Sequence, residues 1–107
     1  TGYLHGRAGG WPHYYSKSNS DYNNTKEKLE TIPYFDVVNF AKRITVPGYY
    51  MWGFNDETCP PTSMHAAYNE IPAAKELILF QDTGHWTYAE ERDQMSNWLL
   101  EKLKSQK

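Results

Sequence analysis

Apolar positions along this chain change their spacing from one segment to the next. Residues 1–33 show little periodicity and are rich in Gly, Ser, Asn and Tyr, which reads as an irregular lead-in. Gly6, Gly9, Gly10 and Pro12 punctuate an early turn, and Ser16 to Thr25 is a polar loop. Lys26 to Thr31 has the composition of a short helix. From Pro33 to Ile44, the positions of Phe35, Val38, Phe40, Ala41 and Ile44 approximate helical spacing and predict one or two short helices.

Val46 to Trp52 is β-branched and aromatic and predicts a strand, closed by Gly53. Pro47 lies near its start, where a missing N–H is tolerable. Pro60 and Pro61 suit the entrance to a helix. Met64, Ala67, Tyr68 and Ile71 then make one helical face, and Pro72 stops it. Glu76 to Phe80 is nearly continuous in apolar side chains, as in a buried parallel strand. The turn Asp82-Thr83-Gly84-His85 follows. Thr87 and Glu90 have capping-box spacing for a last helix, with Tyr88, Met95, Trp98, Leu99 and Leu103 as its apolar stripe. Lys102, Lys104 and Lys107 suit that helix's C-terminal end.

Residues 34–107 thus run helix-β-α-β-α, which implies a βαβ unit and a parallel sheet. Two strands do not make a stable parallel sheet, because such sheets need more strands and cover on both faces. The expected class is α/β, with two parallel strands and flanking helices, incomplete as an independent sheet. The chain does not begin with Met and reads as one segment, 1–107, of a longer domain.

Composition narrows the partners. A length of 107 residues fits one small domain rather than two, and 22% charged residues mark an ordinary globular chain. Aromatics reach 16%, which could line a sugar-binding surface but more commonly fills cores and interfaces. A net charge of −2 gives no basic footprint for nucleic acid or an anionic membrane. No apolar run approaches the ~20 residues of a membrane span. The opening residues lack the pattern of a signal peptide. Cys59 is the sole cysteine and forms no internal disulfide. That is compatible with a secreted or periplasmic bacterial protein and with a cytoplasmic one.

Two strand ends deliver polar side chains of catalytic type. Asp56 follows the first strand and His85 the second, the edge where ligands collect in open α/β sheets. An acid followed by a histidine is the order of the last two members of a Ser…Asp…His triad. The competing reading makes Asp56 a turn or cap residue and His85 a surface-loop residue, and spacing alone does not choose. A nucleophile is missing. Ser16, Ser18, Ser20, Ser63, Ser96 and Ser105 all lie outside any Gly-x-Ser-x-Gly elbow. Cys59 sits before two prolines and reads as a packed small hydrophobe.

Other chemistries are weaker. Asp56, Cys59, His65 and His85 carry atoms that could bind a metal, but their spacing matches no metal motif, so no metal is expected. His5 and His13 carry no partner pattern. Gly6-Arg7-Ala8-Gly9-Gly10 lacks the Gly-Lys-Ser/Thr of a phosphate loop.

The same residues carry a family likeness. Tyr34-Phe35-Asp36, Asn39-Phe40-Ala41, Arg43-Ile44 and Val46-Pro47 resemble the C-terminal part of the acetyl xylan esterase / cephalosporin C deacetylase family. Gly53-x-x-Asp56-x-x-Cys59-Pro60-Pro61, then Ala66-Ala67-Tyr68-Asn69 and Gly84-His85, resemble it more specifically. Gly6 to Pro12 is similar to bacterial members. The resemblance implies an α/β-hydrolase fold and a Ser–His–Asp triad that removes acetyl groups from acetylated carbohydrate or small esters, without a cofactor. Asp56 would be the acid and His85 the base. The nucleophile and oxyanion donors would lie in an N-terminal portion outside this chain, which alone would be inactive. Ring-like homo-oligomers would be in character. Tyr50-Met51-Trp52 and Trp86 depart from the family's commonest forms, which leaves substrate preference open. Another α/β-hydrolase activity, peptidase or lipase-like, and a non-catalytic aromatic-rich carbohydrate-binding module remain as alternatives.

Overall fold

The computed structural model describes residues 26–105. The Gly-rich opening, His5, His13, Ser16, Ser18, Ser20 and the earlier part of the irregular lead-in lie outside the described residues, as does Lys107. Helix α1 spans Lys26–Thr31, a 3-10 turn follows at Ile32–Phe35, and α2 spans Val37–Ala41. Strand β1 is Gly48–Gly53, α3 is Pro61–Glu70, β2 is Lys75–Phe80 and α4 is Ala89–Lys104.

The two strands pair in parallel, with Gly48 opposite Lys75 and Gly53 opposite Phe80. The ladder starts where the Gly48 N–H donates to the Ala74 carbonyl at 3.0 Å. This corrects the expected start at Val46, because Pro47 has no N–H to offer and Val46 stays 66% exposed. The pleat sends alternate β1 side chains to opposite faces. Tyr50 and Trp52 meet Tyr68 of α3 at ring separations of 5.4 and 5.8 Å. Tyr49, on the other face, meets Trp98 of α4 at 5.6 Å. The Trp98 indole N–H also donates to Glu76 of β2 at 2.7 Å. Each face of the strand pair thus carries one helix.

Local chemistry sets the element ends. Asp36 caps α2 by accepting the Val38 N–H at 3.1 Å. Ile71, one residue before Pro72, is extended and lies just outside α3, as the pre-proline position requires. It is nonetheless buried. The Lys75 ammonium donates to three carbonyls at the end of α3, those of Tyr68 at 2.7 Å, Ile71 at 2.8 Å and, more weakly, Asn69 at 3.5 Å. At the start of α4 the expected pair Thr87/Glu90 is displaced by one residue. The Glu91 carboxylate accepts the Tyr88 N–H at 2.8 Å, and Glu91 is buried while Glu90 is exposed.

Only Ala41, Trp52 and Ile71 are buried hydrophobics among the described residues. Apart from Trp98, the predicted stripe on α4 is largely uncovered: Met95, Leu99 and Leu103 are 41%, 52% and 55% exposed. The sheet is therefore an incomplete piece of a larger one. No described helix is long and apolar enough to cross a membrane.

Candidate active site

The two strand ends sit side by side, so the loops that follow them touch. Beyond β1, the Phe54 N–H donates to the Phe80 carbonyl at 2.7 Å and the Asn55 N–H to the Thr83 carbonyl at 3.0 Å. The Asn55 side-chain amide adds a bond to the Gln81 carbonyl at 2.9 Å. Gly53 makes this approach possible. A β-carbon there would run into the carbonyl oxygens of Thr83 and Gly84, which are backbone and cannot swing aside.

Asp56 and His85, distant in sequence, are brought together by this stapling. Asp56 Oδ2 lies 2.8 Å from His85 Nδ1. Asp56 Oδ1 accepts two backbone N–H groups, from Cys59 at 2.8 Å and Thr58 at 2.9 Å. One oxygen therefore anchors the carboxylate and leaves the other for the imidazole. Burial pushes the Asp56 pKa up. The Cys59 N–H, the His85 ring, the Thr58 N–H and the charge His85 can carry outweigh it, and the carboxyl ends below its ordinary value. An ionised Asp56 can accept a hydrogen bond from a proton on Nδ1, and in that neutral tautomer Nε2 keeps its lone pair. The two side chains differ sharply in access: Asp56 is 6% exposed and His85 62%. A buried carboxylate holding an exposed imidazole is an arrangement that can present a base to a reacting group.

Among the other sequence candidates, Cys59 joins the pair. Asp56, Cys59 and His85 each present a ligand-type atom, all within 4.8 Å of one another. His65 does not. It packs edge-on against the Trp52 ring on the α3 face, at 4.9 Å. Ser96 and Ser105 donate their hydroxyls to helical carbonyls, and no serine hydroxyl among the described residues bonds to His85. Trp86 and Tyr88 form an edge-on pair at 4.8 Å just after His85, and both are exposed. The Tyr88 hydroxyl donates to Asp82 at 3.1 Å, which raises its pKa. Sequence reading missed Gly53, Asn55 and Thr83 as supports of the pair. Gly53 was visible as a strand stop and as the first residue of the Gly53-x-x-Asp56 resemblance, but not as a close-approach point, and nothing in spacing marks the other two.

Comparison with known proteins bears on what this geometry belongs to. The family description "acetyl xylan esterase" matches residues 12–102. This chain belongs to the acetyl xylan esterase family. The acetyl esterase Axe7A of Xylanibacter ruminicola is 45% identical over 104 residues, covering 97% of this chain and 23% of the relative. The crystal structure of acetyl xylan esterase 1 from Thermoanaerobacterium sp. JW/SL YS485 superposes with a TM-score of 0.69 at 31% identity. It covers 79% of this chain and 27% of that one. An acetyl xylan esterase from Paenibacillus sp. R4 gives 0.67, also at 31%, covering 77% and 27%. The chain therefore has the fold of an α/β-hydrolase segment and spans about a quarter of the length of these acetyl xylan esterases.

Proposed function

We propose that this segment supplies the acid and the base of a serine carbohydrate esterase that removes acetyl groups from acetylated xylan or related sugars. The observation that carries the reading is the 2.8 Å contact between a backbone-anchored Asp56 and the exposed His85. In this mechanism Asp56 fixes the Nδ1–H tautomer. His85 Nε2 takes the proton of a serine hydroxyl supplied from outside Thr1–Lys107 as that oxygen attacks the acetyl carbon. The imidazolium then protonates the departing sugar alcohol, leaving acetyl on the serine. In the second half His85 deprotonates water, which releases acetate and restores the hydroxyl.

The exposed Trp86–Tyr88 pair beside His85 supports a carbohydrate leaving group, since flat aromatic faces stack on sugar rings. The open aromatic surface at Tyr34, Phe35 and Phe40 supports self-association of the intact protein. Residues 1–107 act on this reading as the C-terminal segment of one hydrolase domain. On its own the segment is inactive.

In the intact protein, His85→Ala is expected to reduce hydrolysis of a chromogenic acetyl ester by roughly ten-thousandfold or more. Near-normal turnover would remove His85 as the base. Acetylated xylo-oligosaccharide is expected to be cleaved and a peptide anilide left intact; the reverse preference would move the chain to another hydrolase activity.

A further inference from the structure

Spacing along the chain gives no metal motif, yet the fold assembles one carboxylate, one thiol and one imidazole at the same point. Their ligand-type atoms lie within 4.8 Å of one another. A zinc ion bonds to such atoms at about 2.0–2.3 Å, so closing the three around it needs shifts of about an ångström or less. The donor set is the kind that selects a borderline-soft cation over magnesium or calcium, because thiolate and imidazole outcompete water for zinc but not for hard ions. Asp56 is already built to meet a cation. Two backbone N–H groups hold Oδ1, which aims Oδ2 at the imidazole. Cys59 is partly buried and His85 exposed, which gives an entry path from solvent.

We propose that Asp56, Cys59 and His85 form an inhibitory site for a thiophilic divalent cation such as zinc. Binding sends the thiol proton of Cys59 to solvent and moves the single ring proton of His85 from Nδ1 to Nε2, which frees the Nδ1 lone pair for the metal. No electrons change hands. The Asp56 carboxylate moves from an N–H donor to the cation. His85 then carries the cation on Nδ1 and its proton on Nε2, so Nε2 has no lone pair left to accept a proton and the serine hydroxyl loses its base. The inhibitory consequence rests on the reading of Asp56 and His85 given above; the binding does not.

The test uses the intact protein, wild type and Cys59→Ala, each referred to its own metal-free rate. Micromolar zinc is expected to suppress wild-type ester hydrolysis, chelator to restore it and magnesium to leave it unchanged. The zinc concentration for half inhibition should rise by about tenfold or more in Cys59→Ala, through loss of the thiolate. A second readout needs no turnover. Cobalt added to the wild type should give thiolate-to-metal charge-transfer absorption, missing from Cys59→Ala, and zinc should slow modification of Cys59 by a thiol reagent. Inhibition equally strong in the variant, or no cobalt–thiolate band in the wild type, overturns the site. An inactive protein that still shows the Cys59-dependent band would instead overturn the esterase reading and leave the metal site standing.

Discussion

The two oxygens of Asp56 have separate tasks, and the division makes the residue hard to replace. Oδ1 is held by the N–H groups of Thr58 and Cys59, and Oδ2 alone faces His85. Asp56→Asn keeps the size but puts an amide where the carboxylate was. The imidazole then loses the partner that selects its tautomer and the charge that stabilises its protonated form. On the proposed esterase reading, the intact protein is expected to lose roughly ten-thousandfold in kcat with little change in fold. The same residue leaves a mark on stability. Its folded pKa lies below the unfolded value of about 3.9. Ionisation of Asp56 therefore stabilises the fold fully above that unfolded value, and the increment is lost as pH falls through the folded one. Denaturation midpoints measured from neutral to acid pH should fall less steeply in Asp56→Asn than in wild type. Equal slopes would show that Asp56 is not held in its charged form.

Between elements, the decisive contact is that of the β1 end with the turn after β2. Gly53 permits it and Asn55 staples it. Gly53→Ala would push a methyl group against the carbonyls of Thr83 and Gly84, so the turn carrying His85 must move. A shift of about an ångström at a reacting group costs on the order of a hundredfold in rate. Overpacking costs about 1–3 kcal/mol in stability. Both should show, as lower kcat on a small acetyl ester and a lower urea midpoint; an unchanged kcat would mean that the turn yields without moving His85. The strands, α3 and the Asp…His order were legible in the sequence because each is local or follows chain order: an apolar run, a proline pair, a polar residue after a strand. The stapling was not, because it depends on the through-space distance between residues 53 and 83. The one-residue shift of the α4 cap was hidden for a related reason. Thr87/Glu90 and Tyr88/Glu91 have the same spacing, and only burial of Glu91 separates them. Cys59 could be placed beside His85 only by the fold.

At the scale of the whole molecule, the outward faces decide what the chain can do alone. Helix α4 turns Trp98 to Tyr49 and Glu76 but leaves Leu99, Leu100 and Leu103 about half exposed. Burying the remainder of such side chains is worth about 1 kcal/mol each, so this helix alone forgoes several kcal/mol. Whole domains are stable by only about 5–15 kcal/mol, and a two-stranded sheet is marginal in water. The isolated 107-residue chain should therefore bind an apolar dye and show no sharp loss of near-ultraviolet circular dichroism on heating. On the proposed reading the intact protein should do the opposite, because further strands and helices would cover these faces. Leu99→Glu separates the two situations. In the intact protein it would bury a charge against apolar neighbours, at a cost of several kcal/mol and a clearly lower melting temperature. In the isolated chain the same carboxylate stays in water, so dye binding should drop and the melt should not change. A cooperative melt for the isolated chain, or an intact protein indifferent to Leu99→Glu, would mean that α4 faces solvent by design and that the hydrolase sheet closes elsewhere.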